Sequence, residues 1–310
     1  MRVVFMGTPD FAVGTLEAIV AAGHEVVGVV TQPDKPQGRS KSLVPTPVKA
    51  AALAHGLNVY QPTRIRNEEA VATVRAMEPD VIVVVAFGQI IPKEILDMAP
   101  HGCINVHASL LPAYRGAAPI QWAVLNGEKE TGVTIMRMDE GLDTGDVIAK
   151  VIVPLDEKET SESLFDKLSA AGAKLLAETL PSIGDGTAVY EKQPEESPTA
   201  YAGMIKKQMG LIDWNRSAVE IERWVRGMNS WPSAYTKLDG KTLKIWSSHI
   251  EDEKQTGEAG KVLRADKTGM YVQTGCGVLC IEELQLEGKK RMTVDAFIRG
   301  YTMKQETLGL

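Results

Sequence analysis

The sequence predicts an α/β fold in which a doubly wound, mostly parallel sheet is followed by a small β-barrel domain. In the first half, strand-like apolar runs alternate with helical patterns. Several of those runs are almost continuous Val and Ile, which is typical of strands that have helices on both faces. The last hundred residues carry short strand-like runs between glycine turns. The chain has 310 residues and exceeds the usual size of one core, so we expect two domains.

Strands and helices alternate from the first residues onward. The predicted strands are 3–5, 26–31, 81–86 and 104–107, and the predicted helices are 16–22, 47–55, 68–77 and 92–98. Ligands of such sheets bind beyond the carboxyl ends of the strands. The segments 86–89 and 107–109 follow two of these strands, so we expect both to open onto one crevice.

The turn after the first strand lacks the fingerprint of a dinucleotide site. Gly7 and Gly14 are seven residues apart and do not follow the Gly-x-Gly-x-x-Gly spacing. Pro9 also removes a backbone N–H that a phosphate would need. We therefore expect a Rossmann-like scaffold that binds no nucleotide, and these features argue against a nicotinamide dehydrogenase.

The remaining elements divide the chain into two domains. A strand pair over 132–155 precedes an amphipathic helix over 161–180. A polar, proline-punctuated stretch then predicts a linker at 190–208, between a catalytic domain at 1–189 and a C-terminal domain at 209–310. In the C-terminal domain we expect a helix at 218–228 and strands at 242–246, 260–264, 269–274 and 277–286.

Three polar residues form a candidate catalytic group. Asn105 and His107 are two residues apart on a predicted strand, so their side chains lie on one side of it. Asp143 lies in a loop bracketed by Gly141 and Gly145, which permit tight turns. An amide can stabilise an oxyanion, an imidazole can carry a proton, and a carboxylate can orient the imidazole. This combination indicates acyl transfer.

Other chemistries fit these residues poorly. No serine occupies a Gly-x-Ser-x-Gly elbow, and the cysteines have no evident catalytic partner, so direct attack by a substrate amine is favoured over a covalent intermediate. A calcium loop beginning at Asp139 would place Gly141 and Lys150 where carboxylates are required. We therefore reject a calcium site.

The motif around this group resembles that of the folate-dependent formyltransferases. In that family a strand ends in Asn-x-His, Ser-Leu-Leu-Pro follows, and a later loop holds an Asp. Asn105, His107, the run Ser109-Leu-Leu-Pro112 and Asp143 match at every position. Five further runs are similar to segments of the family members that formylate charged tRNA. These runs are 7–11, 31–34, 38–39, 115–121 and 288–292. The resemblance spans essentially the whole chain.

The resemblance implies a specific reaction. The formyl donor would be 10-formyltetrahydrofolate, and the acceptor would be the α-amino group of methionyl initiator tRNA, for translation initiation. An α-amino group titrates near ~8, so part of it is already nucleophilic at neutral pH. Asn105 and His107 would stabilise the oxygen of a tetrahedral intermediate, and Asp143 would hold His107 and help to move the proton. The folate contacts implied are Phe87, Gly88, Gln89, Ser109, Leu110, Leu111 and Pro112.

The resemblance also implies where tRNA binds. Residues 32–49 form a long basic loop punctuated by proline, and such loops are usually functional or disordered. In the family this loop reaches the tRNA acceptor end, which makes Arg39 the first candidate contact and Lys41 the second. The C-terminal domain would be an OB-like barrel. Its candidate phosphate contacts are Lys206, Lys207, Lys289 and Lys290. We expect its four tryptophans to pack internally instead of stacking on bases.

Charge and composition set further limits. Residues 1–204 hold 17 basic against 26 acidic residues, a net charge of −9, whereas residues 205–310 hold 17 against 14, a net charge of +3. A mildly basic second domain is compatible with a polyanionic partner. Three cysteines indicate a reducing compartment, and we expect a cytoplasmic monomer. We predict no metal, because His101 and the cysteines do not supply four ligands at recognised spacings. We expect no leader segment and no membrane span.

Two classes of alternative remain open. The same catalytic group could formylate an amino-sugar nucleotide or a purine-pathway ribonucleotide, or it could hydrolyse the formyl group from the folate. The long basic loop and residues 115–119 favour tRNA. An RNA-binding protein without activity is the other class, and the intact Asn105, His107 and Asp143 argue against it.

Overall fold

The structure is a computed structural model that describes residues 1–37 and 42–309, and its chain divides into two compact units. Unit 1 comprises Met1–Pro119, Glu130–Pro154 and Phe165–Ala202. Unit 2 comprises Ile120–Lys129, Leu155–Leu164 and Gly203–Leu310. The segment predicted as a linker, 190–208, is thus divided between the units after Ala202. The predicted domain limits stay a prediction.

The first two thirds of the chain alternate strands and helices. In order they are β1 (Arg2–Gly7), α1 (Asp10–Ala21), β2 (Glu25–Val30), β3 (Lys35–Gln37), β4 (Ser42–Val44), α2 (Pro47–Ala54), β5 (Val59–Tyr60), α3 (Glu68–Ala76), β6 (Val81–Val85), α4 (Lys93–Leu96), β7 (Cys103–His107), α5 (Pro119–Asn126), β8 (Glu130–Arg137), β9 (Val147–Pro154) and α6 (Ser161–Gly184).

One seven-stranded sheet organises unit 1, in the order β5-β2-β1-β6-β7-β8-β9. The strands from β5 to β7 run parallel, whereas β8 and β9 are antiparallel to their neighbours. The prediction of a mostly parallel, Rossmann-like sheet is therefore confirmed. All five residues of β6 are buried, as its continuous Val and Ile require.

Helices cover both faces of this sheet. Val4 and Ile82 belong to a buried cluster that includes Val74 of α3 and Ile95 of α4. On the other face α6 approaches closely, because a Cβ at Gly172 would lie 2.9 Å from Cγ1 of Val106. Glycine at this position therefore permits the helix to lie directly on the strands.

Several elements differ from the sequence-based expectation. Helix α1 begins at Asp10, directly after Pro9 and six residues before the predicted start at Leu16. The predicted loop 32–49 contains the hairpin of β3 and β4, in which Lys35 pairs with Val44. Helix α6 continues to Gly184 with Pro181 inside it, whereas we predicted an end at 180. The strands β5, β10 and β15 and the helices α5 and α8 were not predicted.

The C-terminal part is a second, antiparallel β unit, as predicted. Its elements are a 3₁₀ helix (Lys207–Gly210), α7 (Ala218–Gly227), β10 (Ala234–Leu238), β11 (Lys241–Asp252), β12 (Val262–Asp266), β13 (Gly269–Gln273), β14 (Val278–Leu286), β15 (Met292–Thr293) and α8 (Val294–Gly300). The strand order is β10-β11-β14-β13-β12, and β15 pairs with β14. Ser217 and Glu220 form a capping box at the start of α7.

The four tryptophans of residues 209–310 differ in their burial and in their hydrogen-bond partners. Trp214 is buried and donates to Oγ1 of Thr236 at 3.0 Å. Trp224 donates to the carbonyl of Met209 at 2.8 Å, and Trp246 to the side chain of Gln285. Trp231 is 59% exposed, so the expectation of internal packing is wrong for this residue.

Within residues 1–37 and 42–309, no helix has both the length and the apolar character needed to cross a bilayer.

Candidate active site

The site begins where two parallel strands end side by side. Strand β6 pairs with β7 such that Ile82 opposes Cys103 and Val84 opposes Asn105. Because the strands are parallel, residues 86–89 and 107–112 leave the same edge of the sheet. The end of β1 joins this edge, since the Thr8 hydroxyl donates to the carbonyl of Phe87 at 2.9 Å. The structure thus places the two predicted segments together.

His107 is buried, and its surroundings define its tautomer. Nε2 lies 3.1 Å from the carbonyl oxygen of Tyr114. A carbonyl can only accept a hydrogen bond, so Nε2 carries a proton. In the neutral imidazole Nδ1 is then unprotonated, and it lies 3.7 Å from Oδ1 of Asp143. Nδ1 is therefore the imidazole nitrogen that faces the carboxylate.

Asp143 reaches His107 from a loop that folds back along the sheet. Arg137, at the end of β8, opposes Ile104, three residues before His107, so the loop must return along β7. Asp143 has a φ of 57°, which is uncommon for a residue with a side chain. Its Oδ2 accepts a bond from the backbone N–H of Gly116 at 2.9 Å. Oδ1 is left to face the imidazole.

Asn105 completes the group. It lies two residues before His107 on β7, and its side chain is half-buried. The amide makes no hydrogen bond to any residue in the described part of the chain. The structure therefore brings all three predicted catalytic residues together, with one amide free to bind an oxygen.

Thr134 supports this edge, although sequence reasoning missed it. It opposes His107 on β8 and is fully buried. Its hydroxyl donates to the carbonyl of Ser109 at 2.7 Å and accepts from the N–H of Leu111 at 3.1 Å. A β-branched residue on a strand gives no signal of such a role.

A second missed feature is the segment 191–202, which we call the strap. Glu191 of the strap and Val147 of β9 form two backbone hydrogen bonds, each 2.8 Å long. Farther along, the Thr199 hydroxyl accepts from the N–H of Tyr114 at 2.7 Å, and the N–H of Ala202 donates to the carbonyl of Arg115. The strap belongs to unit 1 and lies against the residues that surround Asp143 and His107. Its polar, proline-rich sequence had indicated only a linker.

The predicted folate contacts lie in the two loops that leave this edge of the sheet. The Ser109 hydroxyl donates to the carbonyl of Ala113, and the Gln89 side chain accepts from the N–H of Ile65. Phe87 and Leu111 are buried, Leu110 is half-buried, Gly88 has a φ of 82°, and the peptide before Pro112 is cis. The contacts and backbone conformations of these residues determine the course of the two loops. Two exposed apolar side chains beside them were missed, Ile90 at 83% and Leu142 at 64% exposure.

The structure describes four of the six predicted tRNA contacts. Arg39 and Lys41 lie outside the described residues. In unit 2, Lys206, Lys207, Lys289 and Lys290 are all exposed. A cavity of about 580 Å³ in this unit is lined by Lys207, Pro232, Tyr235, Lys237, Thr242, Lys244, Gln285, Leu286, Glu287 and Gly288.

The base of the predicted tRNA loop is fixed by an ion pair. Lys49 donates to Oδ2 of Asp34 at 2.6 Å and to the side chain of Gln61 at 2.8 Å. The Lys49 bond, followed by the Gln61 bond, holds the pKa of Asp34 below its usual value. Lys49 is thus engaged at the base of the loop.

The cysteine nearest the site is not a nucleophile. Cys103 begins β7 and is fully buried, and burial raises the pKa of its thiol to about 12. A thiol with that pKa is protonated at neutral pH, whereas the thiolate is the reactive form. Among the residues that the structure describes, no three His, Cys, Asp or Glu side chains are grouped to hold a metal ion.

Comparison with known proteins identifies close relatives of the chain. Residues 1–180 match the family "Formyl transferase", and residues 204–302 match "Formyl transferase, C-terminal domain". The chain is 60% identical over 300 residues to a methionyl-tRNA formyltransferase of Agathobacter rectalis, covering 97% of this chain and 96% of the relative. It is 56% identical over 305 residues to that of Lachnospira eligens, with 97% and 96% coverage. Among solved structures, HypX from Aquifex aeolicus in complex with tetrahydrofolic acid matches with a TM-score of 0.62, 19% identity, and coverage of 97% of this chain and 47% of that one.

Proposed function

The chain belongs to the formyl transferase family, and from this premise we propose that it formylates the α-amino group of methionyl initiator tRNA, with 10-formyltetrahydrofolate as the formyl donor. The observation that carries the proposal is the 60% identity to a methionyl-tRNA formyltransferase over nearly the whole length of both chains. Members of this family use folate-derived donors. The product serves translation initiation.

The residues of the site have distinct tasks in the transfer. A bond forms between the amine nitrogen and the formyl carbon, and the bond from that carbon to the folate nitrogen breaks. Asn105 and His107 stabilise the negative charge that develops on the formyl oxygen. Asp143 orients His107 and carries the amine proton toward the departing nitrogen, directly or through water. No group of the enzyme becomes formylated.

The edge of the sheet fits a folate donor. The Asn105 amide is half-buried and unengaged among the described residues, so it can bind the formyl oxygen. Ile90 and Leu142 offer apolar surface to a flat ring. We assign folate contacts to Phe87, Gly88, Gln89, Ser109, Leu110, Leu111 and Pro112. The transfer requires no metal and no nucleotide.

Contacts to tRNA involve both units. We assign Arg39 and Lys41 to the acceptor end, and Lys206, Lys207, Lys289 and Lys290 to phosphates. Lys207 lines the cavity in unit 2 together with Lys237 and Lys244, which concentrates positive charge there. The protein acts as a cytoplasmic monomer.

Formyl transfer from 10-formyltetrahydrofolate to competing acceptors tests the proposal. The acceptors are methionyl initiator tRNA, free methionine and UDP-amino-arabinose, and an Asp143→Asn variant is the control. We expect transfer to the charged tRNA alone, and its loss in the variant. Transfer to the sugar nucleotide would replace the tRNA assignment with the alternative formyltransferase, and formate release without an acceptor would indicate a hydrolase.

A further inference from the structure

Gln193 is the most extensively hydrogen-bonded side chain of the strap. It is buried, with 8% exposure. Its Nε2 donates to the carbonyl of Asp143 at 3.0 Å and to that of Gly145 at 2.7 Å. Its Oε1 accepts from Nε and Nη2 of Arg115, at 3.2 and 3.0 Å. Both donor hydrogens and both acceptor positions of the amide are therefore used.

These contacts close a ring around Asp143. The N–H of Gly116 binds the Asp143 carboxylate, and Gly116 follows Arg115 in the chain. The Arg115 guanidinium binds Gln193, and Gln193 binds the backbone of Asp143. The Gln193 amide therefore binds the backbone of the Asp143 loop. It also binds Arg115, and the next residue, Gly116, binds the Asp143 carboxylate.

We propose that Gln193 is a positioning residue that holds Asp143 in the geometry needed for formyl transfer, an inference that rests on the proposed function. Asp143 has a φ of 57°, and an L-residue in that region needs support from its surroundings. The two hydrogen bonds from Gln193 to the carbonyls of residues 143 and 145 provide it. Gln193 itself touches neither His107 nor the reacting atoms.

Arg115 strengthens this arrangement. Its Nη1 donates to the carbonyl of Glu195 at 3.0 Å, and Nη2 also donates to the carbonyl of Pro194 at 2.8 Å. The guanidinium thus binds Gln193 and the two residues that follow it in the strap, and its charge strengthens the bond to the amide oxygen. Arg115 is engaged within the site instead of being presented to an anionic substrate.

The strap also reaches the partner of Asp143. The Thr199 hydroxyl accepts from the N–H of Tyr114, and the carbonyl of Tyr114 accepts from Nε2 of His107. The Ser197 hydroxyl donates to the carbonyl of Pro112 at 2.8 Å. Through these contacts one segment orients both members of the His107 and Asp143 pair.

The chemistry of Gln193 makes two substitutions informative. In Gln193→Glu the side chain keeps its shape and can still accept from Arg115, but a carboxylate oxygen would face the carbonyls of Asp143 and Gly145. In Gln193→Met the length is kept and every hydrogen bond is lost. Glu196 is exposed on the same strap, so Glu196→Gln is a matched control that makes the reverse chemical change.

Steady-state kinetics give the first test. A displacement of about 1 Å in a catalytic group can cost ~100-fold in rate. We expect kcat to fall ~10- to 100-fold in Gln193→Glu and Gln193→Met, with the KM values for both substrates changed less than about threefold. Glu196→Gln should match wild type. If both Gln193 variants keep wild-type kcat, the proposal is wrong.

A double-mutant cycle separates positioning from a general structural effect. If Gln193 acts through Asp143, Gln193→Met should lower the residual kcat of Asp143→Asn by less than about twofold. An equal loss in both backgrounds would show that Gln193 does not act through Asp143.

Hydrogen exchange tests the inference without any assay of activity. Peptides covering residues 139–146 should exchange faster in Gln193→Met than in wild type, while peptides covering β1 and β6 stay protected. Unchanged exchange in 139–146 would overturn the positioning role. If wild type transfers no formyl group to any acceptor but the exchange result holds, the proposed function fails and the structural link stands.

Discussion

Asp143 and His107 face each other at 3.7 Å between Oδ1 and Nδ1, while the other carboxylate oxygen of Asp143 is bound by the N–H of Gly116. One oxygen of the carboxylate is thus held by the backbone, and the other faces the imidazole. Since 3.7 Å exceeds a hydrogen bond, the pair is close without being locked. Catalytic hydrogen bonds often tighten only with substrate bound, so this separation suits a group that moves a proton.

Asp143→Asn should reduce kcat ~10²- to 10⁴-fold, the usual contribution of a proton carrier. An amide oxygen can still accept from Gly116, so the loop is kept, but the amide cannot take a proton. The KM for the folate donor should change little. Asp146→Asn makes the same chemical change in the same loop and should retain wild-type kcat in parallel assays. Comparable losses in both variants would contradict the role of Asp143.

Thr134→Val should destabilise the protein by about 1–3 kcal/mol, because the buried carbonyl of Ser109 and N–H of Leu111 lose their common partner. Thr134→Ser keeps the hydroxyl and loses one methyl group, so it should cost less. The urea midpoint of each variant measures the difference. A larger loss in Thr134→Ser would show that packing, and not hydrogen bonding, determines stability at this position.

The sequence predicted the parts of this site that follow from chain periodicity. Asn105 and His107 share one side of β7 because side chains alternate along a strand. The strap could not be predicted, because Gln193 binds the backbone carbonyls of Asp143 and Gly145, and backbone groups leave no pattern in the sequence. The fold followed from the buried Val and Ile runs, whereas short elements such as β5 depend on tertiary pairing.

Cysteine reactivity should follow burial. Cys103 and Cys280 are buried, and burial raises the pKa of each thiol, to about 12 for Cys103. Only about 10⁻⁴ of Cys103 is then thiolate at pH 8. Iodoacetamide should label only exposed Cys276 in the native protein and all three cysteines in urea, as mass spectrometry can show. Formyl transfer should survive labelling at Cys276, and rapid native labelling of Cys103 would contradict its assigned environment.

The cap of α7 should make stability depend on pH. Hydrogen bonds from the N–H and then the hydroxyl of Ser217 lower the pKa of Glu220 from its usual 4.5. A lowered folded-state pKa contributes stability above the unfolded value, and the contribution is lost as pH falls through the folded value. Glu220→Gln should therefore lower Tm at pH 7, with the difference from wild type shrinking below pH 4.5.

Ser217→Ala should cost about 1 kcal/mol, a typical value for the loss of an N-cap. Thermal unfolding of both cap variants at pH 7 and under acid conditions measures these effects. A difference between Glu220→Gln and wild type that stays constant with pH would contradict the assigned role of the carboxylate.

Arg39→Ala should lower kcat/KM for methionyl initiator tRNA strongly while leaving binding of the folate donor unchanged. The base of this loop is held by Lys49 with Asp34 and Gln61, so the substitution removes a charge beyond that anchor and leaves the folate segments intact. Loss of one phosphate contact should also reduce the salt slope of tRNA binding by ~1. Lys174→Ala removes an exposed cation from α6 and serves as the control. Weakened folate binding in Arg39→Ala, or an equal tRNA defect in Lys174→Ala, would assign the effect to something other than a contact at the acceptor end.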